Sequence, residues 1–166
     1  MNVRKLTTAA LAAALVCAVT FIAKVPLPSA HGAYVNLGDT VIYLCAWTIG
    51  GLPAALAAAT GSALADLFAG AAVYMPATFV IKFLMGLLVA RFAYQRGFAR
   101  FLLWSIVAGV VMVGGYFCYE LLLFGKVAFV NVPANVIQLV GGVAVAALLW
   151  PAVREAWQSL REGSQS

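Results

Sequence analysis

The chain has 166 residues, of which 65% are hydrophobic and only 9% charged. A soluble core of this size could not hide so much apolar surface. The net charge of +5 is scattered between apolar runs rather than gathered in a patch, so nucleic acid is not an expected partner. Apolar runs of about 20 residues recur, the length of a membrane-crossing helix. They predict an all-α integral membrane protein, a bundle of six transmembrane helices embedded in a lipid bilayer. Cys17, Cys45 and Cys118 lie inside apolar runs without paired spacing and read as small apolar filler. A single histidine, His31, cannot build a multi-histidine metal site.

In chain order, Arg4 and Lys5 precede an apolar stretch from Leu6 to Ala23. It is longer than a usual signal-peptide core, so it is read as a retained helix 1. The breakers Pro26, Pro28 and Gly32 then make a loop. Helix 2 is expected from Gly38 to Gly50. At roughly 14 residues it is too short to cross a ~30 Å core upright, unless it begins earlier or is flanked by protein. Helix 3 follows from Pro53 to Ala69, and helix 4 from Pro76 to Tyr94, across a bend at Gly70–Pro76. A basic loop, Gln95–Arg100, leads to helix 5, Phe101–Phe124. Helix 6, Ala134–Trp150, is expected to stop at Pro151. The domain division is residues 1–152 for the bundle and 153–166 for a polar cytoplasmic tail.

Six spans put both termini on one side. Arg4, Lys5, Arg91, Arg96, Arg100, Arg154 and Arg161 fall on that side, against Lys24 and Lys126 on the other. The positive-inside rule makes the termini cytoplasmic. With that topology the intramembrane polar groups gather in the outer half: Asp39, Asp66, Lys82, Glu120, Asn131, Asn135 and Gln138, with Tyr34, Tyr74, Tyr116 and Tyr119 at the same level. Charges facing lipid are costly, so these groups must face one another or a ligand. Asp66 and Lys82 sit at similar depth on neighbouring helices and can staple the helix 3–4 hairpin as a structural ion pair. Small residues four apart (Ala9/Ala13, Ala10/Ala14, Ala54/Ala58, Gly61/Ala65) leave grooves for close helix approach, within the chain or with a partner subunit. The chain has no GxxxxGK[ST], GxSxG or HExxH motif, so neither ATP binding by a P-loop nor a recognised hydrolase site is expected.

Several blocks come in a familiar order. They are Gly32-Ala33-Tyr34-Val35-Asn36-Leu37-Gly38-Asp39, Gly61-Ser62-Ala63-Leu64-Ala65-Asp66-Leu67 and Pro76-Ala77-Thr78-Phe79-Val80-Ile81-Lys82-Phe83-Leu84-Met85-Gly86. Gly115-Tyr116-Phe117-Cys118-Tyr119-Glu120 and Pro133-Ala134-Asn135-Val136-Ile137-Gln138 follow. Together they resemble the substrate-binding S components of energy-coupling factor (ECF) vitamin transporters, and most closely the riboflavin-transporter-like branch. The resemblance implies six membrane helices, cytoplasmic termini and a ligand site near the outer face of a prokaryotic plasma membrane. It implies a water-soluble vitamin or precursor as ligand: pyridoxine, a thiamine pyrimidine or a riboflavin-like molecule. The implied partners are a membrane coupling subunit and two ABC ATPase subunits. The chain itself would have no cofactor, ATP being used only by the ATPases, and would not be an enzyme. Helix 1 would meet the coupling subunit through Ala9, Ala13, Ala10 and Ala14. The loop Val25–Asn36 would act as a lid. Substrate contacts are assigned to Tyr34, Asn36, Asp39, Lys82, Tyr116, Glu120, Asn135 and Gln138. The alternatives are a proton-coupled secondary transporter that uses Asp66, Lys82 and Glu120 as a relay, and a small integral-membrane enzyme.

Overall fold

Apolar stretches broken by glycine and proline become helices joined by tight turns in the computed structural model, which describes residues 3–26 and 34–163. Among the described residues there are six α-helices: α1 (Val3–Ile22), α2 (Gly38–Ile49), α3 (Gly51–Phe68), α4 (Met75–Phe92), α5 (Phe98–Phe124) and α6 (Ala128–Glu162). A 3-10 turn, Gly125–Val127, joins α5 to α6. Four stretches are long and apolar enough to cross a membrane: Lys5–Ile22, Gly51–Phe68, Met75–Phe92, and Phe98–Glu162, which takes in both α5 and α6. Leucine, valine, isoleucine and phenylalanine side chains stay exposed along their flanks, Leu11, Leu15, Val110 and Val140 among them. That is the surface expected where lipid rather than water is the solvent.

The expected first loop is partly a ribbon. Strands β1 (Lys24–Pro26) and β2 (Tyr34–Asn36) pair antiparallel, with Val25 opposite Val35. The β2 strand packs on α6. The rest of the expected lid, residues 27–33, lies outside the described residues.

The short α2 is the middle of the bundle. It touches α1, α3, α4 and α6. Eight of its 12 residues are buried, from Gly38 and Asp39 to Ala46 and Trp47. Flanked by protein on most sides, it does not need the length of a lipid-facing span.

Small residues bring the neighbouring helices together. A Cβ on Gly61 would meet the Ala13 carbonyl oxygen at 2.4 Å, so α3 lies almost against the backbone of α1. A Cβ on Gly86 would sit 3.0 Å from both Ala55 Cα and Ala58 Cβ, which fits α4 to α3 in the same way. Ala54, Ala58, Gly61 and Ala65 are buried. Their spacing serves packing inside the chain, where dispersion at close backbone approach holds membrane helices together. Gly50 turns α2 into α3 at φ 69°, a left-handed conformation that glycine adopts without strain.

The expected stop at Pro151 is not observed. The α6 helix runs through Pro133 and Pro151 to Glu162. An interior proline costs about 3 kcal/mol. The residues beyond it offset that cost with tertiary contacts. Val153 and Trp157 pack on the core, and Arg161 Nη1 donates to Gln95 Oε1 at 2.8 Å. Thirty-five residues make a helix of ~52 Å, longer than the ~30 Å hydrocarbon core, so part of it lies beyond the apolar layer.

Candidate functional site

Two polar clusters share one end of the bundle. The first centres on Asp39 in the opening turn of α2. Lys82, on α4, donates from Nζ to Asp39 Oδ1, and the two residues are 4% and 2% exposed. Gln138 on α6 donates from Nε2 to Asp39 Oδ2 at 2.7 Å. Thr40 Oγ1 donates to the Gly142 carbonyl at 3.0 Å and ties α2 to α6 a turn further along. Gly142 makes this approach possible, since a Cβ there would stand only 3.3 Å from Asp39 Cβ. Both oxygens of Asp39 are engaged, and the pair joins three helices.

This corrects the expected partner of Lys82. Among the described residues its ion pair is with Asp39 of the central helix. Asp66 lies in the last turn of α3 and is half-buried. Lys82, however, belongs to a buried stripe of α4 with Thr78, Met85 and Val89, and the last two pack with Ile42 and Tyr43 of α2. The central helix, rather than the hairpin neighbour, therefore supplies the carboxylate.

The second cluster centres on Glu120 of α5, which is 4% exposed. Its Oε1 accepts from Tyr74 Oη at 3.3 Å and from Asn131 Nδ2 at 3.1 Å. Its Oε2 is buried and has no hydrogen-bond partner among the described residues. The Tyr74 ring meets Tyr116, Tyr119 and Phe124 at centroid distances of 6.4, 6.0 and 6.1 Å. Tyr119 Oη donates to the Val73 carbonyl. Tyr116 Oη and Thr78 Oγ1 share a hydrogen bond of 2.9 Å. Lys82 Nζ lies 5.6 Å from the centroid of the Tyr116 ring and so links the two clusters.

The remaining expected contacts fall around these clusters. On α6, Asn131, Asn135, Gln138 and Gly142 are spaced as one helical face, and Asn135 is half-buried between the two bonded residues. Asn36 Oδ1 accepts the Gly38 amide at 2.6 Å, so its oxygen is engaged at the start of α2. Tyr34 belongs to β2, but its side chain lies outside the described residues. The set of expected contacts omitted Thr40 and Thr78. The signal for Thr78 was its spacing, four residues before Lys82 and so on the same helix face. Thr40 had no signal beyond its place beside Asp39.

On α1, Ala9 and Ala13 are half-buried, with the Ala13 carbonyl against Gly61, whereas Ala10 and Ala14 are exposed. The two alanine pairs therefore lie on different surfaces.

The family profile of the ECF-type riboflavin transporter S component matches residues 1–155, nearly the whole chain. The chain belongs to this family. Among curated relatives, the thiamine precursor transporter HmpT of Lactococcus lactis subsp. cremoris (strain MG1363) is 31% identical over 153 residues, which cover 92% of this chain and 89% of that protein. An uncharacterised protein of Pyrococcus woesei is 34% identical over 128 residues, 76% of this chain and 85% of that one. The protein is thus a substrate-binding S subunit of an ECF-type vitamin importer, a multi-pass membrane protein of a transporter family rather than an enzyme family.

Proposed function

We propose that this S component binds a small nitrogen-bearing aromatic vitamin precursor, of the aminopyrimidine class, at the Glu120–tyrosine end of its bundle. Glu120 Oε2 carries the proposal. A buried carboxylate oxygen without a donor is costly, and an exocyclic amine or ring N–H of a ligand would satisfy it with a charge-assisted hydrogen bond. Asn135 supplies a second polar group on the facing helix, and the Tyr74–Tyr116–Tyr119 rings supply stacking surface. The full-length similarity to a relative named as a thiamine precursor transporter supports the same class. Asp39, Lys82 and Gln138 bond one another, which suits a floor beneath the ligand better than a contact with it.

The proposed topology is six spans with both termini in the cytoplasm of a prokaryotic cell. The gathering of Arg91, Arg96, Arg100, Arg154 and Arg161 near the end opposite Glu120 supports this orientation. The loop Val25–Asn36 is the proposed lid, and its strand β2 packs on α6. The proposed partners are a membrane coupling subunit and two ABC ATPases, which alone would use ATP. The exposed Ala10/Ala14 face of α1 is the proposed docking strip, because the Ala13 backbone on the other face already lies against Gly61 of α3.

Mass spectrometry of small molecules that co-purify with the protein tests the ligand, followed by calorimetry with an aminopyrimidine, pyridoxine and riboflavin. Preferential binding of the aminopyrimidine is expected; preferential binding of riboflavin would overturn the proposed ligand class. In vesicles that also hold the coupling subunit and ATPases, Ala10→Trp should abolish uptake and leave calorimetric binding unchanged. Normal uptake by that variant would remove this strip as the docking face.

A further inference from the structure

We propose that the end of the bundle opposite Glu120 is a binding site for the phosphate headgroup of an anionic phospholipid. A cavity of about 310 Å3 lies there between the end of α2, the α4–α5 turn and the last third of α6. Asp39 and Trp47 are eight residues apart on α2, which places this cavity ~12 Å along the helix from the Asp39 ion pair. Its walls carry Arg96, Arg154 and Arg161 with Trp47, Trp150 and Trp157, and no aspartate or glutamate.

Among the described residues no carboxylate forms an ion pair with any of the three arginines. Arg161 is positioned by its bond to Gln95, and the Arg154 guanidinium lies 5.3 Å from the Trp150 ring centroid. The Trp47 indole N–H is satisfied by the Arg96 carbonyl at 2.9 Å. The indole N–H groups of Trp150 and Trp157 are buried and have no acceptor among the described residues, and Trp150 is only 5% exposed. Buried donors without acceptors are uncommon in folded proteins and ask for an explanation. Three guanidinium groups without a carboxylate partner fit a ligand that brings several anionic oxygens and no donors, which describes a phosphodiester.

The apolar share of the walls selects the lipid source of that phosphate. Phe98 and three indoles line the cavity, and Leu148, Leu149 and Leu160 stand exposed on the same α6 that forms one side. Tryptophan with arginine is the composition of a membrane–water interface, where a headgroup meets acyl chains. The cavity volume falls at the lower end of the range for small-ligand sites, large enough for the headgroup while the chains stay in the bilayer.

Native mass spectrometry of the full chain in mild detergent tests this, with phosphatidylglycerol, phosphatidylcholine and inorganic phosphate added in turn. The wild type should retain phosphatidylglycerol at least about tenfold better than phosphatidylcholine, since a zwitterionic headgroup returns a cation to a cationic site. The double variant Arg154→Gln/Arg161→Gln should lose that preference. Arg154→Gln alone should weaken phosphatidylglycerol retention several-fold and serves as a milder check on any folding defect in the double variant. Equal retention of the two lipids by the wild type, or undiminished preference in both variants, would overturn the site. Displacement of phosphatidylglycerol by an equimolar amount of inorganic phosphate would make it a free-anion site and overturn the lipid assignment.

Discussion

At one end of α2, Asp39 is 2% exposed and both of its oxygens are bonded, to Lys82 and Gln138. At the other end, Trp47 borders a cavity whose arginines are exposed and make no ion pair among the described residues. The difference follows from where each end meets water. Deep in an apolar bundle an isolated charge is prohibitively costly, so charges there appear as pairs with their remaining polar atoms satisfied. At an interface, long arginine side chains reach solvent or headgroups and need no partner from the protein. Buried polarity at the first end therefore reports architecture, and Glu120 Oε2 is one of several buried polar atoms that have no hydrogen-bond partner among the described residues. At the second end polarity reports surroundings.

Breaking each end in turn should give effects that fall steeply from one to the other. Lys82→Met leaves the Asp39 carboxylate buried without its cation, and thermal or denaturant unfolding in detergent should register a loss of about 3–5 kcal/mol. The double variant Asp39→Asn/Lys82→Met should recover most of that loss. Stability equal to wild type in the single variant would mean that the pair holds nothing together. Glu120→Gln keeps the shape but removes the charge, and should weaken ligand binding by about 1.5–3 kcal/mol, roughly ten- to a hundredfold by calorimetry. Its melting temperature should move far less than that of Lys82→Met. Thr40→Val removes one buried hydrogen bond between α2 and α6 and should cost about 1 kcal/mol in the same unfolding assay. At the far end, Arg161→Gln loses a single exposed bond to Gln95 and should shift stability by less than about 0.5 kcal/mol. A large loss there would erase the contrast between the two ends.

The ordering of helices and breakers was legible because each membrane helix must satisfy its own backbone and so appears as a long apolar run. The polar end was legible for the same reason: Asp39, Lys82, Glu120 and Gln138 interrupt those runs at one level. Pro151 misled, because a proline signal is local. The contacts of Val153, Trp157 and Arg161 that carry α6 past it come from residues distant in the chain. The short α2 left two readings open, and burial of most of its length decides for a helix flanked by protein. Of the small-residue pairs, Ala54/Ala58 and Gly61/Ala65 proved to be internal packing. Spacing alone could not separate them from Ala10/Ala14, because a groove looks the same in sequence whichever helix fills it.

The sequence by itself determined the class, an apolar helical membrane protein with the blocks of an S component, and the depth of each ionisable residue along its helix. Rise per residue is fixed, so distance along the axis can be counted from the nearest breaker. Tertiary structure alone decided which carboxylate Lys82 meets. That choice depends on the rotation of α4 about its axis and on which helix occupies the centre, both set by how small and large side chains fit together across the bundle. The same packing brought Asn131 and Tyr74 to one oxygen of Glu120 and left the other without a donor among the described residues.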